Sequence, residues 1–70
     1  MKLSARNIFK GKIIKMTKGP LNTLVELQIA PGVNVSSVIT SEAAKELKLA
    51  KGKAAYAIIK APSVIIGVDE

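Results

Sequence analysis

The stretch LNTLVELQIAPGVNVSSVIT, Leu21 to Thr40, decides the fold. Thr23, Val25, Leu27 and Ile29 alternate with Leu24, Glu26 and Gln28, which is the period of a half-buried strand running from Leu21 to Ile29. Ala30, Pro31 and Gly32 then form a reverse turn. From Val33 to Thr40 the alternation resumes, with Val33, Val35, Ser37 and Ile39 on one face. Two such runs joined by a short glycine-containing turn read as a hairpin of consecutive antiparallel strands.

Upstream, Ile8 to Lys18 is a third alternating run. Phe9, Gly11 and Ile13 share a face, while Lys10 and Lys12 take the other. At Ile13 and Ile14 the frame slips, and Ile14 and Met16 carry the apolar positions onward, as in a β-bulge or a strand that leaves one core and enters another. Gly11 fits a bend, and Lys18, Gly19 and Pro20 mark a turn. Downstream the period changes over Ser41 to Leu49. Thr40 or Ser41 serves as N-cap, Glu42 sits in the first turn, and Ala43, Ala44 and Leu47 form the apolar face of a short helix closed by Gly52. Ala54 to Lys60 and Ser63 to Val68 read as two further strands, separated at Pro62. The order is β-β-β-α-β-β. This predicts an all-β, five-stranded OB-like barrel with one short helix between strands 3 and 4.

Seventy residues make one domain, 1–70, whose core is marginal at this size. Small scaffolds usually add disulfides, metals or self-association. There is no Cys and no His, which excludes disulfides and the common transition-metal ligands, so self-association remains. The composition agrees. Hydrophobic residues are 49% of the chain and mean hydropathy is positive, so many Val and Ile side chains are expected to face a partner copy. No apolar run approaches the roughly 18 residues of a membrane span. The first residues lack the order of a signal peptide, and the expected location is the cytoplasm.

The net charge is +6, from ten Lys and one Arg against five acids, which implies an anionic partner. Single-stranded nucleic-acid platforms combine basic grooves with stacking aromatics, and here Phe9 and Tyr56 are the whole aromatic inventory. Lys10, Lys12, Lys15, Lys18, Lys45, Lys48, Lys51 and Lys53 read as solubilising charge and edge protection. Catalysis is poorly provided for. Without His or Cys, a nucleophile–base pair would rest on Lys or a carboxylate. Glu42 and Glu46 lie four apart beside Lys45 and Lys48, a solvated helix surface, and Asp69 and Glu70 form an acidic terminus. The chain is read as a non-enzyme with no catalytic residues, no directly ligated metal and no organic cofactor.

Two donor-rich segments stand out. Ser4, Ala5, Arg6 and Asn7 precede the first strand; Lys60, Ala61, Pro62 and Ser63 follow the fourth. Neither contains a carboxylate. If their strands pair, in one chain or across an interface, hydroxyl, guanidinium, amide and ammonium donors surround one space. Such a cage suits a small dianion, because each charge-assisted hydrogen bond contributes roughly 1.5–3 kcal/mol. Hydrogen phosphate needs an acceptor for its O–H, whereas sulfate, molybdate and tungstate need donors alone. A cage without acceptors therefore disfavours phosphate.

The opening Ser4-Ala5-Arg6-Asn7, with Phe9-Lys10-Gly11, Lys18-Gly19, Ile39-Thr40-Ser41, Leu47-Lys48-Leu49, Gly52, Ile59-Lys60-Ala61 and Ser63-Val64, resembles the molbindins, free-standing Mop domains of the TOBE type. The resemblance spans nearly the whole chain. It implies a homo-oligomer, a hexamer built as a trimer of dimers with exchanged strands, that binds molybdate or tungstate at subunit interfaces for storage, buffering or homeostasis. On matching positions it implies oxyanion binding by Ser4, Ala5, Arg6, Asn7, Lys60, Ala61 and Ser63. It also implies a second kind of site, for which Gly19, Thr40 and Ser41 are candidates. Pro62 departs from the small hydroxyl residue common there and removes one backbone donor. Two alternatives stand beside this reading: an OB module that binds nucleic acid, and an assembly domain that oligomerises without binding an anion. The expected partners are therefore a small oxyanion and other copies of the chain, with no nucleic acid and no membrane.

Overall fold

A computed structural model describes residues 1–69; Glu70, read above as part of an acidic terminus, lies outside the described residues. Four strands and one helix follow in order: β1 Asn7–Lys18, β2 Asn22–Ala30, β3 Val33–Thr40, α1 Ser41–Glu46 and β4 Ala54–Ile59. The strands form one antiparallel sheet in the order β3-β2-β1-β4. It curls into a half-barrel whose free edges are β3 and β4. The expected fifth strand is not formed. Ala61–Ser63 is instead a turn of 3-10 helix, and residues 64–69 join no ladder. Pro62 at the start of that turn cannot donate to a ladder, and the chain turns there rather than continuing β4.

Alternation along the hairpin sorts the faces as expected. Thr23, Val25 and Leu27 are buried, and Ile29 and Ile39 pack against the core cluster of Ile13, Val25 and Leu27. The slipped frame in β1 is a bulge. Ile13 pairs with Leu27 and Lys15 with Glu26, so Ile14 is the extra residue. The bulge is what turns Ile13 and Met16 toward the same core despite their odd spacing. Ile13 anchors the other side too: its N–H donates to Lys53 at 3.0 Å, and its carbonyl accepts from Gly52 at 2.7 Å. Gly11 does not mark a bend, as its place in the alternation suggested. A Cβ there would collide with the Gln28 carbonyl oxygen and lie 3.1 Å from Ile29 Cγ2, so glycine is required by the close approach of β2.

The helix is shorter than the expected Ser41–Leu49. Thr40 is its N-cap, its hydroxyl accepting from Ala43 N–H at 3.1 Å. The helix stops at Glu46, well before Gly52, because Lys48 adopts a left-handed backbone at φ 54°. Lys48 N–H then bonds to Lys45 at 3.0 Å and Leu49 N–H to Ala44 at 3.1 Å, the paired closure of a Schellman motif. Lys53 completes the end, its Nζ donating to the carbonyls of Leu47 at 3.0 Å and Lys48 at 2.9 Å. With the helix ended early, Leu47 leaves the apolar face and is exposed, while Ala44 is the buried helical residue. Among the described residues no helix is long and apolar enough to cross a membrane.

Candidate functional site

The ladder between β1 and β4 decides whether the two donor segments meet. Its register runs from Lys12 opposite Ala54 to Asn7 opposite Ile59. Arg6 and Lys60 are the next residues along each segment, just outside the ladder. Ser4 and Ala5 continue on one side, and Ala61 to Ser63 on the other. The two segments therefore leave the sheet at the same end, within a single chain. Antiparallel pairing does this because it brings the beginning of β1 to the end of β4.

Not every residue of the pair is equally available. The Asn7 side-chain amide donates to the Ile59 carbonyl at 3.1 Å, clamping the two strands at the mouth of the cluster. Ser63 N–H donates to the Lys60 carbonyl at 2.9 Å, and Val64 N–H to Ala61 at 3.2 Å. Pro62 has no N–H. In the second segment the Lys60 ammonium, the Ala61 N–H and the Ser63 hydroxyl are the donors left for a ligand. Lys60 is extended at φ −65° and exposed, as are Ser4 and Arg6; Ala5 and Asn7 are half-buried. No carboxylate lies in either segment, and among the described residues no group of three or more His, Cys, Asp or Glu could hold a metal ion.

The residues suggested for a second site lie elsewhere, around the start of the helix. Ser41 Oγ donates to the Gly19 carbonyl at 2.6 Å and lies 2.8 Å from Thr23 Oγ1. A hydroxyl has one proton, so with Ser41 donating to Gly19, Thr23 must donate to Ser41. Backbone donors are engaged as well: Ser41 N–H bonds to Leu21 at 2.8 Å and Gly19 N–H to Asn22 at 2.9 Å. Gly19 and Ser41 thus pin the turn after β1 to the helix and have no donor free for an oxyanion. Beside them opens a cavity of about 460 Å³, lined in part by Lys18, Lys45 and Lys48. Nothing in the sequence separated these three lysines from the other surface lysines, because they come from the end of β1, from α1 and from the turn after it.

A second concavity, about 360 Å³ and strongly apolar, spans the open side of the half-barrel. Ile13 and Leu27 form its floor, Val35 and Ile39 come from one edge strand, and Ala55 and Ile58 come from the other. The terminal segment that does not pair is apolar and unburied, with Ile65 92%, Ile66 83% and Val68 80% exposed.

Comparison with known proteins follows the same lines. A family model described as the TOBE domain matches residues 3–66. The probable molybdenum-pterin-binding protein of Haemophilus influenzae is 49% identical over 69 residues, which cover 99% of this chain and 100% of that protein. The structure of MopII from Clostridium pasteurianum superposes with a TM-score of 0.89 at 34% identity, covering 96% of this chain and 100% of that one. The cytoplasmic molybdate-binding protein ModG, in a form with molybdate bound, matches at 41% identity and TM-score 0.83, over 87% of this chain and 43% of that one.

Proposed function

This chain belongs to the TOBE-domain family, among its molbindin (Mop) members, and from that premise we propose that it binds molybdate at the end of the β1–β4 ladder. The observation that carries the reading is the register that ends with Asn7 opposite Ile59, so that Arg6 and Lys60 both follow the last rung at the same end of the sheet, with no carboxylate in either segment. Arg6 and Lys60 supply two positive charges to a dianion. Ser4, Ser63 and the N–H of Ala61 supply neutral donors, Ala5 leaves room for close approach, and Asn7 holds the strands at the spacing the anion needs. A donor set of this kind also accepts tungstate, and it disfavours hydrogen phosphate. Gly19, Thr40 and Ser41 act on this reading as supports of the turn and the helix cap.

The seventy residues work as one domain and in several copies. A second copy is the natural occupant of the apolar groove, because the missing barrel strand and the unpaired tail have matching chemistry. Val64 leaves the 3-10 turn extended and residues 64–68 join no ladder, while β3 and β4 each offer a free ladder edge to such a tail. The tail leaves directly from Ser63, so its exchange would set the anion site at a subunit interface. A hexamer arranged as a trimer of dimers satisfies both edges. The biological role is cytoplasmic storage or buffering of the oxyanion, a binding task without catalysis.

Isothermal titration with molybdate, tungstate, sulfate and phosphate tests the reading. Molybdate and tungstate bind and phosphate does not; equal uptake of all four, or of none, overturns it. A nucleic-acid role is distinguished by a salt-dependent gel shift with single-stranded oligonucleotides.

A further inference from the structure

We propose that the apolar rung formed by Ile8 and Ile58 separates molybdate from sulfate at the oxyanion site, an inference that rests on the function proposed above. Donors without acceptors turn away hydrogen phosphate. They serve sulfate and molybdate alike, since both are tetrahedral dianions that carry no proton. The two differ in size. Bonds to molybdenum are longer than bonds to sulfur, so the same charge is spread over a larger sphere and holds its water less tightly. A surface that takes water from the anion and offers no hydrogen bond in return therefore penalises sulfate more.

The ladder puts such a surface next to the donor segments. Ile8 faces Ile58 on the rung that adjoins Asn7 and Ile59, the last one before Arg6 and Lys60. Both isoleucines are exposed, at 40% and 45%, and together they present one apolar strip across both strands. From Asn7 to Phe9 and from Ala57 to Ile59 the only polar side chain is Asn7, whose amide already donates to the Ile59 carbonyl. Further along the face of Ile8 and Ile58 come Lys10 and Tyr56, with the Lys10 ammonium over the ring at 6.0 Å from its centre. That cation is engaged by an aromatic face.

Calorimetric titration of the full chain with molybdate and with sulfate gives the ratio of the two dissociation constants. Threonine keeps the branched shape of isoleucine and its preference for strands, and adds a hydroxyl to which a retained water can bond. Ile8→Thr and Ile58→Thr should each lower the preference for molybdate about fivefold, the worth of one net hydrogen bond, mainly by tightening sulfate. Ile8→Val is smaller but still apolar and keeps the wild-type ratio, which separates polarity from size. Val38→Thr keeps it as well, since Val38 is exposed opposite Leu24, toward the other end of β1. Circular dichroism first establishes a cooperative melt for each variant, and either folded threonine variant decides the matter. The proposal is overturned if the wild type binds both anions equally, if a folded threonine variant keeps the ratio, or if Ile8→Val or Val38→Thr lowers it as much. A wild type that takes up no molybdate defeats the proposed function itself, whereas molybdate binding with an unaltered ratio defeats only the role of Ile8 and Ile58.

Discussion

Asn7 faces Ile59 on the last rung of the β1–β4 ladder, and its side-chain amide reaches across to that residue's carbonyl at 3.1 Å. This cross-strand bond joins segments fifty-two positions apart, and Arg6 and Lys60 are the next residues after the two it joins. On the proposed function, Asn7 is a positioning residue that fixes where the two donor segments leave the sheet. Asn7→Ala is expected to lower stability by about 1 kcal/mol, the usual net value of such a bond. Molybdate affinity should fall by more than the stability change explains. Urea unfolding together with calorimetric titration separates the two; an unaltered dissociation constant would show that the clamp is irrelevant to the site.

On the proposed function Arg6 gives charge-assisted hydrogen bonds to the anion, and Gln keeps an amide donor without the charge. Arg6→Gln should weaken molybdate binding between about tenfold and a hundredfold, from roughly 1.5–3 kcal/mol per bond. Fold stability should stay unchanged, since Arg6 is exposed and outside the ladder. Retention of full affinity by this variant would remove Arg6 from the site.

Lys48→Gly relieves the left-handed backbone at φ 54°. A β-carbon in that region costs roughly 1–2 kcal/mol, and part of it is offset by the greater freedom of glycine in the unfolded chain. A net gain of about 1 kcal/mol corresponds to a rise of about 4–8 °C in melting temperature for a domain of this size. Differential scanning calorimetry reads it directly. A fall in Tm would mean that the lysine side chain stabilises the turn by more than the backbone strain.

Gly11→Ala acts in the opposite direction. The new methyl group meets the Gln28 backbone oxygen, which cannot swing aside as the end of a flexible side chain could. Overpacking of this kind destabilises by about 1–3 kcal/mol, and here it also disturbs the pairing of β1 with β2. A lower urea midpoint at constant slope is the expected signature. Wild-type stability in this variant would show that the two strands can part locally at no cost.

Ile65→Asp together with Ile66→Asp places charge on the unpaired apolar tail. If the tail fills a second copy's groove, light scattering should show the assembly reduced to smaller species, since burying an unpaired carboxylate is strongly unfavourable. Assembly of unchanged mass would exclude the tail from the interface.

Much of this was legible in the order of residues. The alternation from Thr23 to Ile29 and from Val35 to Ile39 is a local, period-two signal, and both strands obey it. The frame slip at Ile14 was readable for the same reason, as was the cap at Thr40, whose hydroxyl bonds to a neighbour three residues away. The fifth strand was not legible. Ser63 to Val68 has strand-like composition, but a strand exists only where it pairs, and the chain leaves β4 through the 3-10 turn at Ala61–Ser63 without joining an edge. Gly11 likewise looked like a bend because its real cause, the Gln28 oxygen, comes from a different strand.

The linear chain alone determined the hairpin, the bulge, the helix start and the supply of unneutralised donors at two distant places, because each depends on nearest neighbours or on side-chain type. Three-dimensional packing decided that the segments bearing Arg6 and Lys60 leave the sheet at the same end, that Gly19 and Ser41 are already hydrogen-bonded to their surroundings, and that Lys18, Lys45 and Lys48 line one cavity. Those are contacts between residues far apart in the chain. They follow from ladder register and one left-handed turn, which composition and periodicity do not encode.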